Sequence, residues 1–109
     1  MPGYMTLDQR KIEKRKKQLQ AFESVCQELR RVSGTSSGAF YVFGSFVDNS
    51  FTPSSDLDVL VDFPEVERVE AMRFVEDMCY RFGLSPDIRP SQWCSEPFVS
   101  KVKCEGVKL

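Results

Sequence analysis

Two short runs, Ala39-Phe40-Tyr41-Val42-Phe43 and Leu57-Asp58-Val59-Leu60-Val61-Asp62-Phe63, set the terms on which this chain can fold. Each is too short for a stable helix and rich in β-branched and aromatic residues, so each reads as a strand. Helical patterns stand on either side. The first covers about Leu7 to Arg31, opened by Thr6 and Gln9 at capping-box spacing, with Ile12, Leu19, Phe22, Cys26 and Leu29 as its expected buried stripe. Pro64 ends the second strand and opens a helix over about Glu65 to Phe82, with Val66, Val69, Met72, Val75, Cys79 and Phe82 facing inward and Gly83 just past its end. Phe46 to Asn49 reads as one helical turn, Leu84 to Arg89 as a third strand, Phe98 to Lys103 as a last helix and Val107 to Leu109 as an edge strand. That order predicts an α/β (α+β) fold: a small mixed sheet with helices packed on it.

At 109 residues the expectation is a single domain over residues 1–109. The net charge of −1 excludes a strongly basic module, so nucleic acid is not an expected partner. No stretch approaches the ~20 apolar residues that span a bilayer, and no apolar run follows the first charges as in a secretory signal. The expected location is cytoplasmic. There is no histidine, which removes His-based acid–base chemistry, His–Cys zinc sites and Ser-His-Asp or Cys-His arrangements. Cys26, Cys79, Cys94 and Cys104 form no CxxC pair and read as reduced, mostly buried thiols.

Charge is unevenly spread. Residues 1–38 hold eight Lys/Arg against four Asp/Glu, a net of +4, and residues 39–89 hold four against ten, a net of −6. The basic run Arg10 to Lys17 reads as a solvated helix end, the alternative being a docking surface for an acidic partner or a phosphate backbone. The acidic middle raises the question of metal ions.

Within it, Asp56 and Asp58 are two residues apart at the start of a strand and so share a face. Two readings stand for the pair: Asp56 caps a turn and Asp58 faces solvent, or the two carboxylates hold a cation between them. Gly44-Ser45 directly follows the first strand. A glycine there lets a phosphate approach the backbone, and a serine hydroxyl with the amides of the next turn can hold its oxygens. An ordinary tight turn is the plainer reading of Gly-Ser alone. The combination is more specific: Gly-Ser after an apolar strand, ten residues (46–55), then Asp-x-Asp opening a second apolar strand.

Gly44-Ser45 with Asp56-Leu57-Asp58 resembles the signature of polymerase-beta-type nucleotidyltransferases, over about Ala39 to Asp87. The Glu105-Gly106-Val107 ending is also similar to that of short members. The chain resembles the minimal nucleotidyltransferases, often the antitoxin half of a two-gene module whose other half is a HEPN-type toxin. The resemblance implies Gly44 and Ser45 as nucleotide-binding residues. It implies Asp56, Asp58 and Asp87 as catalytic and metal-holding carboxylates, Asp87 being the only aspartate after the second long helix. It implies two Mg²⁺ ions, ATP as substrate, and transfer of AMP to a hydroxyl, a tyrosine, on the HEPN-type partner. The chain departs from many relatives in carrying Asn49 where they have glycine, and Phe46, Val47 and Asp48 where they carry an arginine soon after Gly-Ser.

Such chemistry needs no histidine, because two divalent ions on hard oxygen ligands supply the polarisation. Larger relatives that act on antibiotics or RNA add an acceptor-binding domain; here the acceptor surface is expected from another polypeptide or a second copy of the chain. Two alternatives remain: a binding-only antitoxin with a vestigial site, and a subunit acting on a small molecule such as an aminoglycoside. Arg89 is expected at phosphate or paired with a carboxylate, Asp62 as a strand-end residue, Tyr41 and Tyr80 as packing residues, and Trp93 as a half-buried anchor or a base-stacking surface. An 18-residue helix spans about 27 Å and a seven-residue strand about 23 Å. The chain therefore runs out along the second strand and back along the helix, which returns Asp87 to the end of the sheet where Asp58 lies.

Overall fold

The computed structural model describes residues 6–109; residues 1–5, part of the expected 1–109 domain, lie outside the described residues. In chain order the elements are α1 (Leu7–Ser33), β1 (Ala39–Phe43), α2 (Ser45–Asp48), β2 (Leu57–Asp62), α3 (Glu65–Arg81), β3 (Pro86–Pro90), α4 (Glu96–Glu105) and β4 (Val107–Lys108). The strands form one mixed sheet in the order β3-β2-β1-β4. β1 runs antiparallel to β2 and β4, and β2 runs parallel to β3. The expected mixed α/β architecture is the observed one.

Strand alternation divides the core in two. On one face Phe40, Val42, Leu57, Val59 and Val61 meet Val25 and Leu29 of α1 and Ala71, Val75 and Cys79 of α3. On the other, Ala39, Tyr41 and Leu60 meet Val102 of α4, with Phe43, Phe98 and Val99 packed at the margin. Residues 58 and 87 belong to this second face, which α4 covers incompletely.

The Thr6–Gln9 capping box forms and starts α1 as expected. Its expected stripe does not hold along the whole helix: Ile12 is 60% exposed and Leu19 38% exposed. Phe22, Cys26 and Leu29 of the stripe do pack, joined by Val25, but ahead of them the inward positions are Arg15 and Gln18. Arg15 and Gln18 hydrogen-bond the loop after α2, and Val25 and Leu29 enter the core. At 27 residues α1 is about 40 Å long, longer than the sheet it packs on, so its first half has no core beneath it. In α3, Val66 and Val69 are likewise exposed, at 90% and 61%, because the buried face is Ala71-Val75-Cys79 with Met72, Met78 and Phe82 alongside. Tyr41 is buried as expected, whereas Tyr80 and Trp93 are exposed, so neither is a packing residue.

Burial pushes the Cys26 thiol up to about 11 and the Cys79 thiol up to about 12, which leaves both protonated and inert at neutral pH. Cys94 is half-buried and Cys104 exposed, so the expectation of burial holds for two of the four. Among the described residues no helix is long and apolar enough to cross a membrane.

Candidate active site

The turn after β1 fixes the geometry. Gly44 has φ +79 and ψ −150, a conformation essentially reserved for glycine. A Cβ built there would run into the Asp58 carboxylate, its Oδ2 first and its Cγ at 3.1 Å. Glycine is thus required both by the backbone and by the carboxylate that lies against it. The Gly44 carbonyl accepts from the amides of Val47 (3.0 Å) and Asp48 (3.1 Å), closing the single turn of α2. Asn49 ends that turn in the left-handed conformation, φ 68, which asparagine tolerates. Among the described residues the amides of Ser45 and Phe46, which lead the turn, have no backbone acceptor.

Three aromatic rings hold this turn down. Phe46 stacks on Phe51 at 4.5 Å between centroids and on Phe22 of α1 at 5.3 Å. Arg15, also from α1, closes the loop from above. Its guanidinium donates to the Asn49 carbonyl at 2.6 Å, the Asn49 Oδ1 at 2.9 Å and the Phe51 carbonyl at 2.8 Å, and lies 4.0 Å from the centre of the Phe51 ring. Sequence reasoning missed Arg15 because it sits in a run of like charges. Its membership of the 15-18-22-25-29 spacing was the available signal.

The sheet register brings the carboxylates together. Asp58 pairs with Phe43 on β1 and with Asp87 on β3, so Asp87 arrives where the comparison of helix and strand lengths sends it. The two carboxyls are near enough to share a hydrogen bond when one is protonated. Burial raises the pKa of Asp58, the hydrogen bond and charge of Asp87 raise it further, Arg89 opposes the rise and Asp56 adds slightly to it; the result is pushed up to about 6. Asp56 is exposed and acts on Asp58 only through its charge. Among the described residues no three His, Cys, Asp or Glu side chains converge into a metal-binding group.

Arg89 pairs with Asp87 at 3.3 Å and lies 5.4 Å from the Phe98 ring of α4, which resolves it as a carboxylate partner. Phe98 in turn meets Phe43 edge-on at 5.7 Å, so α4 walls the site on that side. Asp62, at the other end of β2, accepts from Ser91 and pairs with Lys103, both at 2.8 Å. Burial works to raise its carboxyl, but those bonds hold it below the ordinary range. It anchors α4 to the sheet and stands apart from the Asp58–Asp87 pair.

A shared face thus carries two touching acids beside a glycine turn. Residues 19–105 match the family described as nucleotidyltransferase domain. The chain belongs to that family. A crystal structure from Sulfolobus solfataricus, described as a candidate nucleotidyltransferase, aligns over 99% of this chain and 90% of its own, at 19% identity and a TM-score of 0.44. No curated protein matches. For a nucleotidyltransferase, the Asp58–Asp87 pair suits a hard divalent cation. Both groups are oxygen donors, they face each other, and their mutual repulsion is relieved when a cation comes between them.

Proposed function

We propose that this nucleotidyltransferase transfers AMP from ATP to a hydroxyl on a separate protein: the hydroxyl oxygen bonds to the α-phosphorus, the bond to the β-phosphate oxygen breaks, and pyrophosphate and a proton leave. The observation that carries the reading is the register contact of Asp58 with Asp87 directly beside Gly44. Asp58 and Asp87 would hold Mg²⁺ ions, with exposed Asp56 adding its charge. Bound there, the ions supply neutralisation of charge on the reacting phosphate and polarisation of the attacking hydroxyl.

The chain's own residues do the rest. Gly44, lacking a side chain, leaves the backbone open to the phosphates. Ser45 contributes its hydroxyl, and the Ser45 and Phe46 amides donate to phosphate oxygens. The Arg15 clamp and the Phe22-Phe46-Phe51 stack keep that turn in place against the charge it receives. Asp87, next to Asp58, would help to orient the attacking hydroxyl. The acceptor implied by resemblance to the minimal family members is a tyrosine of a HEPN-type toxin.

A second reading, a binding-only antitoxin, is favoured by one observation: Arg89 already neutralises Asp87, and Asp48 rather than an arginine follows the Gly-Ser turn. Incubation with ATP labelled at the α-phosphate, Mg²⁺ and the protein encoded by the neighbouring gene separates the two. The transferase reading expects label on that protein, none from γ-labelled ATP, and none with Asp58→Asn. Neutralisation of the partner without label in any sample would establish the binding-only reading instead.

A further inference from the structure

A cavity of about 320 Å³ opens between α2 and α4 and has Gly44 as part of its floor. Its volume is at the lower end for ligand sites, enough for a base and part of a sugar but not a whole nucleotide. Phe43, Val47, Phe98 and Val102 make its walls apolar. Phe43 is register-paired with Asp58, and Phe98 contacts the arginine that pairs with Asp87. The cavity therefore begins where the carboxylate pair ends. Its polar lining is Asp48, Lys101 and Glu105, a net charge of −1 from one cation against two anions. Such a lining repels a polyphosphate and favours a flat, uncharged group that offers hydrogen-bond donors.

We propose that this cavity seats the nucleobase of the nucleotide, and that it selects a base with an exocyclic amino group. The assignment rests on the nucleotidyltransferase reading above and adds a substrate preference to it. With the phosphates along Gly44 and Ser45, the base turns toward α4 and packs against the Phe43 and Phe98 rings. Carboxylate oxygens only accept hydrogen bonds, so Asp48 and Glu105 suit the amino group of adenine, while Lys101, a donor, suits a ring nitrogen; two acceptors against one donor favour adenine over uracil, whose two carbonyls only accept. Asp48 Oδ1 accepts from Ser50, a bond that does not involve its Oδ2, and both Asp48 and Glu105 line the cavity.

Calorimetric titrations with ATP, UTP and inorganic tripolyphosphate in excess Mg²⁺ test this on the wild type and two variants. The wild type is expected to bind ATP at least fivefold more tightly than UTP. Val47→Phe, which fills the cavity, is expected to weaken ATP at least tenfold and to leave tripolyphosphate within twofold. Glu105→Ala, on the exposed last turn of α4, is expected to cut the ATP-over-UTP preference at least threefold; it decides the matter alone if Val47→Phe does not fold. An unchanged preference in Glu105→Ala overturns the assignment, as does equal weakening of ATP and tripolyphosphate in a folded Val47→Phe. Unchanged ATP affinity with a raised KM for the protein acceptor would give the cavity to the acceptor and also overturns it. A wild type that binds none of the three ligands overturns the nucleotidyltransferase reading itself, whereas one that binds all three without selectivity overturns only the base assignment.

Discussion

At the scale of single residues, Asp58 carries the largest electrostatic cost near the site. Its folded pKa, about 6, lies above the ordinary carboxylate value of 3.8. Between those values the native state binds more protons than the unfolded chain, so stability falls as pH rises through about 4 to 6 and stays reduced above. The group is half-buried and still reached by solvent, and with allowance for screening the cost is about 1 kcal/mol. In EDTA, Asp58→Asn is therefore expected to be more stable than the wild type by up to that amount at pH 7.5, and equal to it near pH 3.5. Urea unfolding at the two pH values checks this; a variant less stable at pH 7.5 would make Asp58 a structural residue. Gly44 gives a complementary case. Gly44→Ala places a Cβ both in a backbone region that costs about 1–3 kcal/mol for other residues and against the Asp58 carboxylate. A double-mutant cycle with Asp58→Ala is expected to return about 0.5–1 kcal/mol of that loss; strict additivity would mean the two positions do not touch.

The elements show which features a sequence displays and which it conceals. β1 and β2 were legible because an apolar run that short has few alternatives. The parallel placement of β3 beside β2 followed from the lengths of β2 and α3. Asp87 could be placed for the same reason. What was hidden is how each helix is rotated. In α1 Phe22, Cys26 and Leu29 pack as expected, but ahead of them the apolar series Ile12-Leu19 and the packed series Arg15-Gln18 have similar helical spacing. Hydropathy favours the first because both members of the second are polar, and only tertiary contact with residues 49–52 decides. In α3, Val66 and Val69 precede the part of the helix that reaches the sheet, so their spacing was helical but their burial was not. The Arg15 contact is the sharpest consequence. Arg15→Ala is expected to cost about 1–3 kcal/mol through lost charged hydrogen bonds and ring stacking. Arg15→Lys should recover less than half, because an ammonium cannot bridge two carbonyls as a planar fork does. A loss below about 0.5 kcal/mol in Arg15→Ala, typical of an ordinary surface site, would show that the clamp does not hold the turn.

For the whole molecule, two cores on opposite faces of one sheet do different work. The α1–α3 face is closely packed and fixes β1 and β2. The α4 face is smaller, and beyond its edge stand Asp58 and Asp87 with the cavity beside them. Gly106 makes that edge possible: a Cβ there would be 2.7 Å from the carbonyl oxygens of Val42 and Val102, so only glycine lets α4 turn directly into β4. The acidic pair is thus held by a rigid register on one side and a short, lightly packed helix on the other. This arrangement suits a site that must admit a nucleotide. The central claim, that the Asp58–Asp87 pair beside Gly44 binds nucleotide through a divalent cation, is tested most directly by titrating ATP into the protein in excess Mg²⁺ and again in EDTA. The expected result is binding at least tenfold tighter with Mg²⁺, a difference that Asp58→Asn abolishes; equal affinity in the two conditions would contradict it.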